Sequence, residues 1–230
     1  MKRLLPFVII IVVLAVAVGA YFYMKRAALD SSSIPPASAA PGSSAAPVTN
    51  AGPGAQPPHF RGSESASVTL EEFGDFECPP CGLLYPVLKG IEDEYGPRLR
   101  VIFREYPLTP NHAHALAAAR AAEAAGMQGR FFEMHDLIYQ NQTAWKDLFD
   151  VRPVYEGYAK SIGLDVERWK KDQTSDVVEQ RIFLDGTRAH ALGVKGTPTV
   201  FVNGVEVPFE QLNPEGLRAA INKALSSAGH

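Results

Sequence analysis

The two cysteines of this 230-residue sequence, Cys78 and Cys81, are separated by two prolines. A C-x-x-C pair forms either a redox-active dithiol or half of a zinc site. Residues 66–73 alternate between apolar and polar types, which predicts a strand, and apolar residues recur at helical spacing after Cys81. The pair is therefore expected at a strand-to-helix junction. This context, without a third cysteine, favours the dithiol over the metal site.

A dithiol at the start of a helix is chemically asymmetric. The thiolate is the reactive form of cysteine, and free backbone N–H groups with the helix dipole stabilise it at the first thiol. We therefore expect Cys78 to be the nucleophile and Cys81, one turn further in, to be the resolving thiol. Pro79 and Pro80 suit the first helical positions but remove two N–H donors, so the motif alone does not rank the pKa of Cys78.

The elements that must position this pair follow from periodicity. Residues 101–106 predict a second strand, parallel to the first and connected to it by the helix, in which Pro86 is expected to cause a kink or a break. Residues 111–193 are helical in pattern throughout. Residues 199–207 predict a hairpin that turns at Asn203 and Gly204, and a last helix follows from Asn213.

Three histidines fall in the first two helices of the helical region. His112 and His114 are expected to open its first helix, pointing to different faces, and His135 lies in the second helix. The spacing of His112 and His114 argues against a shared metal ion, and we assign no catalytic role to the three.

The motif Glu72 to Cys81, together with Thr197-Pro198 directly before a strand, resembles the DsbA-like branch of the thioredoxin superfamily. The resemblance covers about residue 65 to the end of the chain. It implies an α/β, thioredoxin-like fold with a helical insertion at about residues 111–193. It also implies a cis peptide bond between Thr197 and Pro198, in a loop that packs against the dithiol.

Glu72 lies six residues before Cys78, where the resemblance implies an acidic residue beneath the active-site disulfide. Alternation places it on the inner face of its strand, where burial would raise its pKa and let it exchange a proton with Cys81. Glu71 is then expected to point outward. Glu77 is expected either to oppose the Cys78 thiolate by like charge or to be a solvated loop residue.

The first quarter of the chain has a different composition. Residues 4–23 form an uncharged apolar run between basic pairs, long enough to span a bilayer, so we predict a membrane anchor at residues 1–26. A cleaved signal peptide is the alternative. Residues 27–62, rich in Pro, Ala and Ser, predict a flexible linker that includes His59, and residues 63–230 the catalytic domain.

The sequence thus predicts a membrane-tethered thiol-disulfide oxidoreductase with Cys78, Cys81, Glu72, Thr197 and Pro198 as site residues. The resemblance implies disulfide donation to reduced or unfolded secreted proteins on the extracytoplasmic, periplasmic side of the cell membrane. It also implies reoxidation by a quinone-linked, DsbB-like membrane protein, with no bound cofactor. Reductase or isomerase activity stays open, as does a metal-binding or carrier module that uses the cysteines with a histidine. The formal charge of −3 gives no reason to expect nucleic-acid binding.

Overall fold

The computed structural model describes residues 51–228, and their central feature is a five-stranded sheet. Its order is β1-β3-β2-β4-β5, and β2 and β3 form its one parallel pair within these residues. The strands are β1 (His59–Gly62), β2 (Val68–Gly74), β3 (Leu99–Glu105), β4 (Thr199–Val202) and β5 (Val205–Val207).

Eight α-helices accompany the sheet within residues 51–228. They are α1 (Pro79–Tyr95), α2 (Ala115–Gly126), α3 (Phe131–Gln140), α4 (Gln142–Trp145), α5 (Arg152–Ser161), α6 (Val166–Asp172), α7 (Asp176–Ala191) and α8 (Pro214–Ala228). The predicted helical insertion corresponds to α2 through α7, between β3 and β4. This is the thioredoxin-like α/β fold with a helical insertion that the resemblance implied.

The β2-α1-β3 unit has the parallel pairing that the sequence predicted, with Glu72 in register with Phe103. The helix α1 continues through Pro86 without the predicted break. A proline inside a helix costs about 3 kcal/mol. Burial of Leu84 before Pro86, and of Leu88 and Ile91 after it, holds the helix against the sheet on both sides of the proline.

The sheet is covered on both faces. One face packs against α1 and α8 through a cluster that includes Leu70, Val101 and Leu217. On the other face, Phe73 and Phe201 pack against Ala189 of α7. Helices of the insertion form a further cluster that includes both cysteines. The dithiol therefore lies where the sheet and the insertion meet.

The predicted hairpin is confirmed, since β4 and β5 pair antiparallel around Asn203 and Gly204. Both turn residues have positive φ, 47° and 78°. A two-residue turn with φ positive at both positions matches the twist of paired strands, and Asn-Gly is its preferred sequence.

The predicted end of the linker at residue 62 is wrong. Residues 59–62 form β1, which pairs antiparallel with β3. Just before it, the backbone N–H of Ala55 donates to Asp185 (2.7 Å), and Arg104 donates to the carbonyl oxygens of Pro53 and Ala55. Low-complexity composition gave no sign of these distant partners. The predicted anchor and the rest of the linker lie outside the described residues, and no helix within residues 51–228 has the length and apolarity to cross a bilayer.

The expected outward orientation of Glu71 also needs correction. It lies on the opposite sheet face from Glu72, as alternation requires, but α7 covers that face and Glu71 is buried. Its carboxylate accepts from Arg104 (2.7 Å) and from Arg188 (2.8 and 2.7 Å). Burial alone would raise the pKa of Glu71, but these guanidinium groups lower it overall. The carboxylate is therefore the centre of a buried ion-pair network.

Candidate active site

The dithiol lies at the N-terminus of α1, as predicted. Cys78 is the N-cap residue, and Pro79 and Pro80 occupy the first two helical positions. The carbonyl oxygen of Cys78 accepts the first helical hydrogen bond, from the N–H of Gly82 (3.1 Å). Cys81 has no exposed surface, whereas Cys78 retains 5%. Only the first thiol is open to a second molecule.

The two thiols have opposite pKa shifts. A hydrogen bond from Cys81 lowers the pKa of Cys78 most strongly, and the Thr197 side chain adds to this effect. Burial raises the pKa of Cys81 well above its usual range, and the neighbouring Cys78 and Glu72 raise it further. A thiolate is thus favoured on Cys78 and disfavoured on Cys81.

The loop before β4 contacts the dithiol. The peptide bond between Thr197 and Pro198 is cis, which confirms the expectation from the resemblance. The Sγ atom of Cys78 donates to the carbonyl oxygen of Thr197 at 3.3 Å. The Thr197 hydroxyl is buried and has no partner among the described residues, so it is available to donate to a Cys78 thiolate.

Glu72 is buried at the end of the inner face of β2, with 4% of its surface exposed. Burial raises its pKa to about 8, and the nearby Glu92 and Cys78 add to the increase. Its Oε1 atom has no hydrogen-bond partner within residues 51–228. A carboxyl group of this pKa gains or loses a proton near neutral pH.

A second acid, Asp75, and its partner His112 lie beside the dithiol, although no sequence pattern indicated a role for them. The buried Asp75 carboxylate accepts from the N–H groups of Glu77 and Leu108 (both 2.8 Å), and it lies 2.7 Å from Nδ1 of His112. Asp75 opposes the Cys78 thiolate by like charge. Burial disfavours the charged imidazole, but the bond to Asp75 and the Cys78 charge raise the pKa of His112 overall.

Glu77 is half-buried, and its carboxylate accepts from the backbone N–H of His114. The expectation that His112 opens the first helix of the insertion is corrected. His112 lies ahead of α2, which begins at Ala115, because its side chain is bonded to Asp75 rather than to the helix. No spacing in the sequence indicated this pair, since the two residues lie 37 positions apart.

Gln142 was also missed, and it ties the insertion to the dithiol. Its Nε2 group donates to the carbonyl oxygens of Phe76 (2.7 Å) and Cys78 (2.9 Å). A Cβ atom on Gly82 would collide with the Gln142 amide, so the glycine leaves room for this side chain to reach the cysteine loop. A helix 64 residues away therefore fixes the backbone that carries the nucleophile.

The remaining histidines do not join the cysteines. His135 is buried among aromatic rings, burial lowers its pKa to about 4, and its Nδ1 lies 2.9 Å from Asp136. His114 Nε2 lies 2.7 Å from the carbonyl oxygen of Leu148. Within residues 51–228, no group of three or more His, Cys, Asp or Glu side chains is arranged to hold a metal ion.

An unequal pair of thiols at a helix N-terminus, on this fold, defines the protein class as a thiol-disulfide oxidoreductase. The family model described as Thioredoxin matches residues 55–223. The chain belongs to this family.

Solved structures with the same fold include a thioredoxin-like oxidoreductase from Silicibacter pomeroyi (27% identity, TM-score 0.63), covering 74% of this chain and 92% of that one. A second such structure is BdbD from Bacillus subtilis (20% identity, TM-score 0.65), and the match covers 74% of this chain and 93% of that one. Among curated proteins, the Na(+)/H(+) antiporter NhaA 1 of Salinispora arenicola is 40% identical over 169 residues. Those residues are 73% of this chain but 25% of that protein, so the chain spans about a quarter of the relative's length.

Proposed function

We propose that this protein donates disulfides to reduced or unfolded secreted and envelope proteins through Cys78 and Cys81. The observation that carries the proposal is the unequal setting of the two thiols. Cys78 lies at the N-cap of α1 and retains exposed surface, whereas Cys81 is fully buried, so the pKa is lowered for the first and raised for the second. A stabilised Cys78 thiolate is a good leaving group. It also stabilises the reduced enzyme, which makes the disulfide more oxidising.

The proposed reaction has two exchange steps. A substrate thiolate attacks Sγ of Cys78 in the enzyme disulfide, and the Cys81 thiolate leaves and takes a proton from Glu72. A second substrate thiolate then attacks the substrate sulfur of the mixed disulfide and displaces the Cys78 thiolate. The substrate gains a disulfide, and the enzyme gains the two electrons and the proton on Cys81.

Thr197 and Pro198 are proposed to receive the substrate. The Thr197 carbonyl lies beside Cys78, the sulfur to be attacked, and its hydroxyl is available to stabilise the departing thiolate. These contacts support their assignment as site residues, together with Cys78, Cys81 and Glu72.

The cellular setting is also a proposal. Residues 1–26 would anchor the protein by a single span, with the catalytic domain on the extracytoplasmic, periplasmic side, where disulfides persist. A quinone-linked, DsbB-like membrane protein would reoxidise Cys78 and Cys81, and the chemistry requires no bound cofactor.

The reduction potential of the cysteine pair tests the direction of this reaction. We expect equilibration with glutathione buffers to give a value above about −180 mV, on the oxidising side of protein disulfide isomerase. A value near −270 mV, as in thioredoxin, would indicate a reductase and contradict the proposal. Reduced, unfolded ribonuclease A should also regain activity with the oxidised protein, but not with the Cys78→Ser variant.

An isomerase would instead be most active on scrambled ribonuclease A. Stoichiometric zinc in the purified reduced protein, with no exchange activity, would favour the metal-binding or carrier module over an enzyme.

A further inference from the structure

A small cavity of about 10 Å³ lies between the sheet and the helices α1 and α3, and Glu72 forms part of its wall. The inner side of the wall is made of buried residues: Glu72, Leu88, Val101, Phe103 and His135. Two polar atoms of this inner side, Oε1 of Glu72 and Nε2 of His135, have no hydrogen-bond partner within residues 51–228. A space of this size holds about one water molecule, so the active-site acid is screened from bulk solvent only by the outer wall.

The outer wall of the cavity depends on Arg61 of β1. Its guanidinium group donates to the carbonyl oxygen of Phe132 (3.2 Å) and to the Asp136 carboxylate on α3, and it lies 4.3 Å from the centre of the Phe132 ring. It also lies 3.5 Å from the carboxylate of Glu92 on α1, which binds Lys89 as well (2.9 Å). Arg61 therefore connects α1 to α3 across the cavity, with 18% of its side chain exposed on the solvent side.

We propose that Arg61 is a positioning residue that seals this cavity and keeps bulk water away from the Glu72 carboxyl group. It contacts α1 and α3 rather than the reacting sulfur atoms, so it acts through Glu72. The inference rests on the proposed function, in which protonated Glu72 gives its proton to the departing Cys81 thiolate. A carboxyl group stays protonated near neutral pH only while its surroundings disfavour the charged form, and an intact wall maintains that condition.

The charge of Arg61 would act on Glu72 in the opposite direction. The titratable groups that face Glu72 lie on β1, on α1 with its N-cap, and on α3: Arg61, Cys78, Cys81, Tyr85, Lys89, Glu92, His135 and Tyr139. Loss of a positive charge near an acid raises the pKa of that acid, whereas entry of water to a buried acid lowers it. The sign of the change at Glu72 therefore shows whether Arg61 acts as a wall or as a charge.

Two substitutions of Arg61 remove the same charge but leave different walls. Arg61→Met keeps a long apolar side chain beside the Phe132 ring, whereas Arg61→Ala removes the side chain that closes the cavity. Carbon-13 NMR of glutamate-labelled protein follows the titration, and the Glu72→Gln variant identifies the Glu72 signal. From a pKa of about 8 in the natural protein, we expect the Glu72 titration midpoint to fall by at least about one pH unit in Arg61→Ala. In Arg61→Met it should stay unchanged or rise.

Disulfide donation gives a second measurement. The reaction of the oxidised protein with reduced glutathione measures the first exchange step, in which Glu72 must be protonated. A midpoint lower by one pH unit reduces the protonated fraction of Glu72 about threefold at pH 7.5 and hardly at pH 6. Arg61→Ala should therefore react about threefold more slowly at pH 7.5 and at nearly the natural rate at pH 6. A merely structural defect would lower the rate at both pH values.

Further variants control for damage to the fold. Arg218→Ala breaks an exposed ion pair with Glu94 of α1 (2.8 Å) that does not line the cavity, so it should change neither the titration nor the rate. Arg61→Val also removes the wall but suits a strand, and it should behave like Arg61→Ala even if alanine loosens β1.

Three results would overturn the proposal. They are a higher pKa of Glu72 in Arg61→Ala, equal midpoints in Arg61→Ala and Arg61→Met, and a rate loss at both pH values with an unchanged Glu72 titration. Failure of the proposed function would look different. A natural protein that does not oxidise thiols, while Arg61→Ala still lowers the pKa of Glu72, would support the seal and contradict disulfide donation.

Discussion

At the scale of single residues, the stability of the Cys78 thiolate depends on which of the neighbouring charges are compensated. Asp75 lies close enough to Cys78 to oppose its thiolate, and His112 compensates that charge. The Asp75–His112 pair could not be predicted from the sequence, because only the fold brings the two residues together.

His112→Gln should therefore raise the pKa of Cys78, because the Asp75 charge is left uncompensated. Alkylation of Cys78 by iodoacetamide at pH 6 should slow about threefold to tenfold, while Cys81 stays unreactive. The control is His190→Gln, which changes an exposed histidine on α7 and should leave the rate unchanged. An equal rate in both variants would show that His112 has no influence on the thiolate.

Glu72→Gln should stabilise the protein at alkaline pH. The folded-state pKa of about 8 lies above the usual 4.5, so the fold favours the protonated form and loses stability as pH rises between these values. The variant should match the natural protein near pH 4 and exceed it by up to about 5 kcal/mol above pH 8. Urea melts across this range measure the difference. The exposed Glu210→Gln variant is the control, and a constant difference at all pH values would contradict the buried, protonated state.

At the scale of elements, local patterns were reliable where one strand or helix carries its own periodicity. The β2-α1-β3 unit and the β4-β5 hairpin follow from alternation, helical spacing and the Asn-Gly turn. The strand β1 was missed because its neighbours are Pro-rich and its partner lies about 40 residues away in β3. Contacts of this kind are set by tertiary packing rather than by composition.

The same limit applies to the candidate site. The cysteines, Glu72 and the cis Thr197-Pro198 bond could be predicted, because a motif and a resemblance mark them. Gln142 and His112 could not, because each matters only through what it faces after folding.

Gln142→Ala should destabilise the protein by about 2–3 kcal/mol, because two buried carbonyl oxygens lose a donor. The Gln140→Ala variant is the control. Gln140 is exposed, and within residues 51–228 its side chain bonds only to the Tyr85 hydroxyl, so its loss should cost less than about 0.5 kcal/mol. Denaturant melts of both variants compare the two. Equal stabilities would mean that α4 does not hold the cysteine loop.

At the scale of the whole molecule, the cysteine bond should not act as a structural staple. The C-x-x-C loop is so short that closing it restricts the unfolded chain far less than the roughly 3 kcal/mol estimated for a 15-residue loop. The reduced form is also stabilised by the Cys78 thiolate. Because folding lowers the pKa of Cys78, this stabilisation is complete above the pKa of an unfolded cysteine and decreases as the pH falls.

We therefore expect the oxidised protein to be less stable than the reduced protein, or nearly equal to it, at pH 7. Denaturant melts of both forms give the difference, and the excess stability of the reduced form should shrink as the pH falls towards 5. An oxidised form more stable by several kcal/mol would identify a reductase-like or structural disulfide.

The short strand β1 has a consequence for solubility. It is an outer strand of the sheet, and it covers the edge of β3, whose residues are largely apolar and buried. An uncovered edge of this kind is a template for pairing with other chains, whereas β1 is four residues long, carries Arg61 and follows two prolines. Residues 59–62, which the composition assigned to the linker, thus protect the edge of the sheet from pairing with other chains.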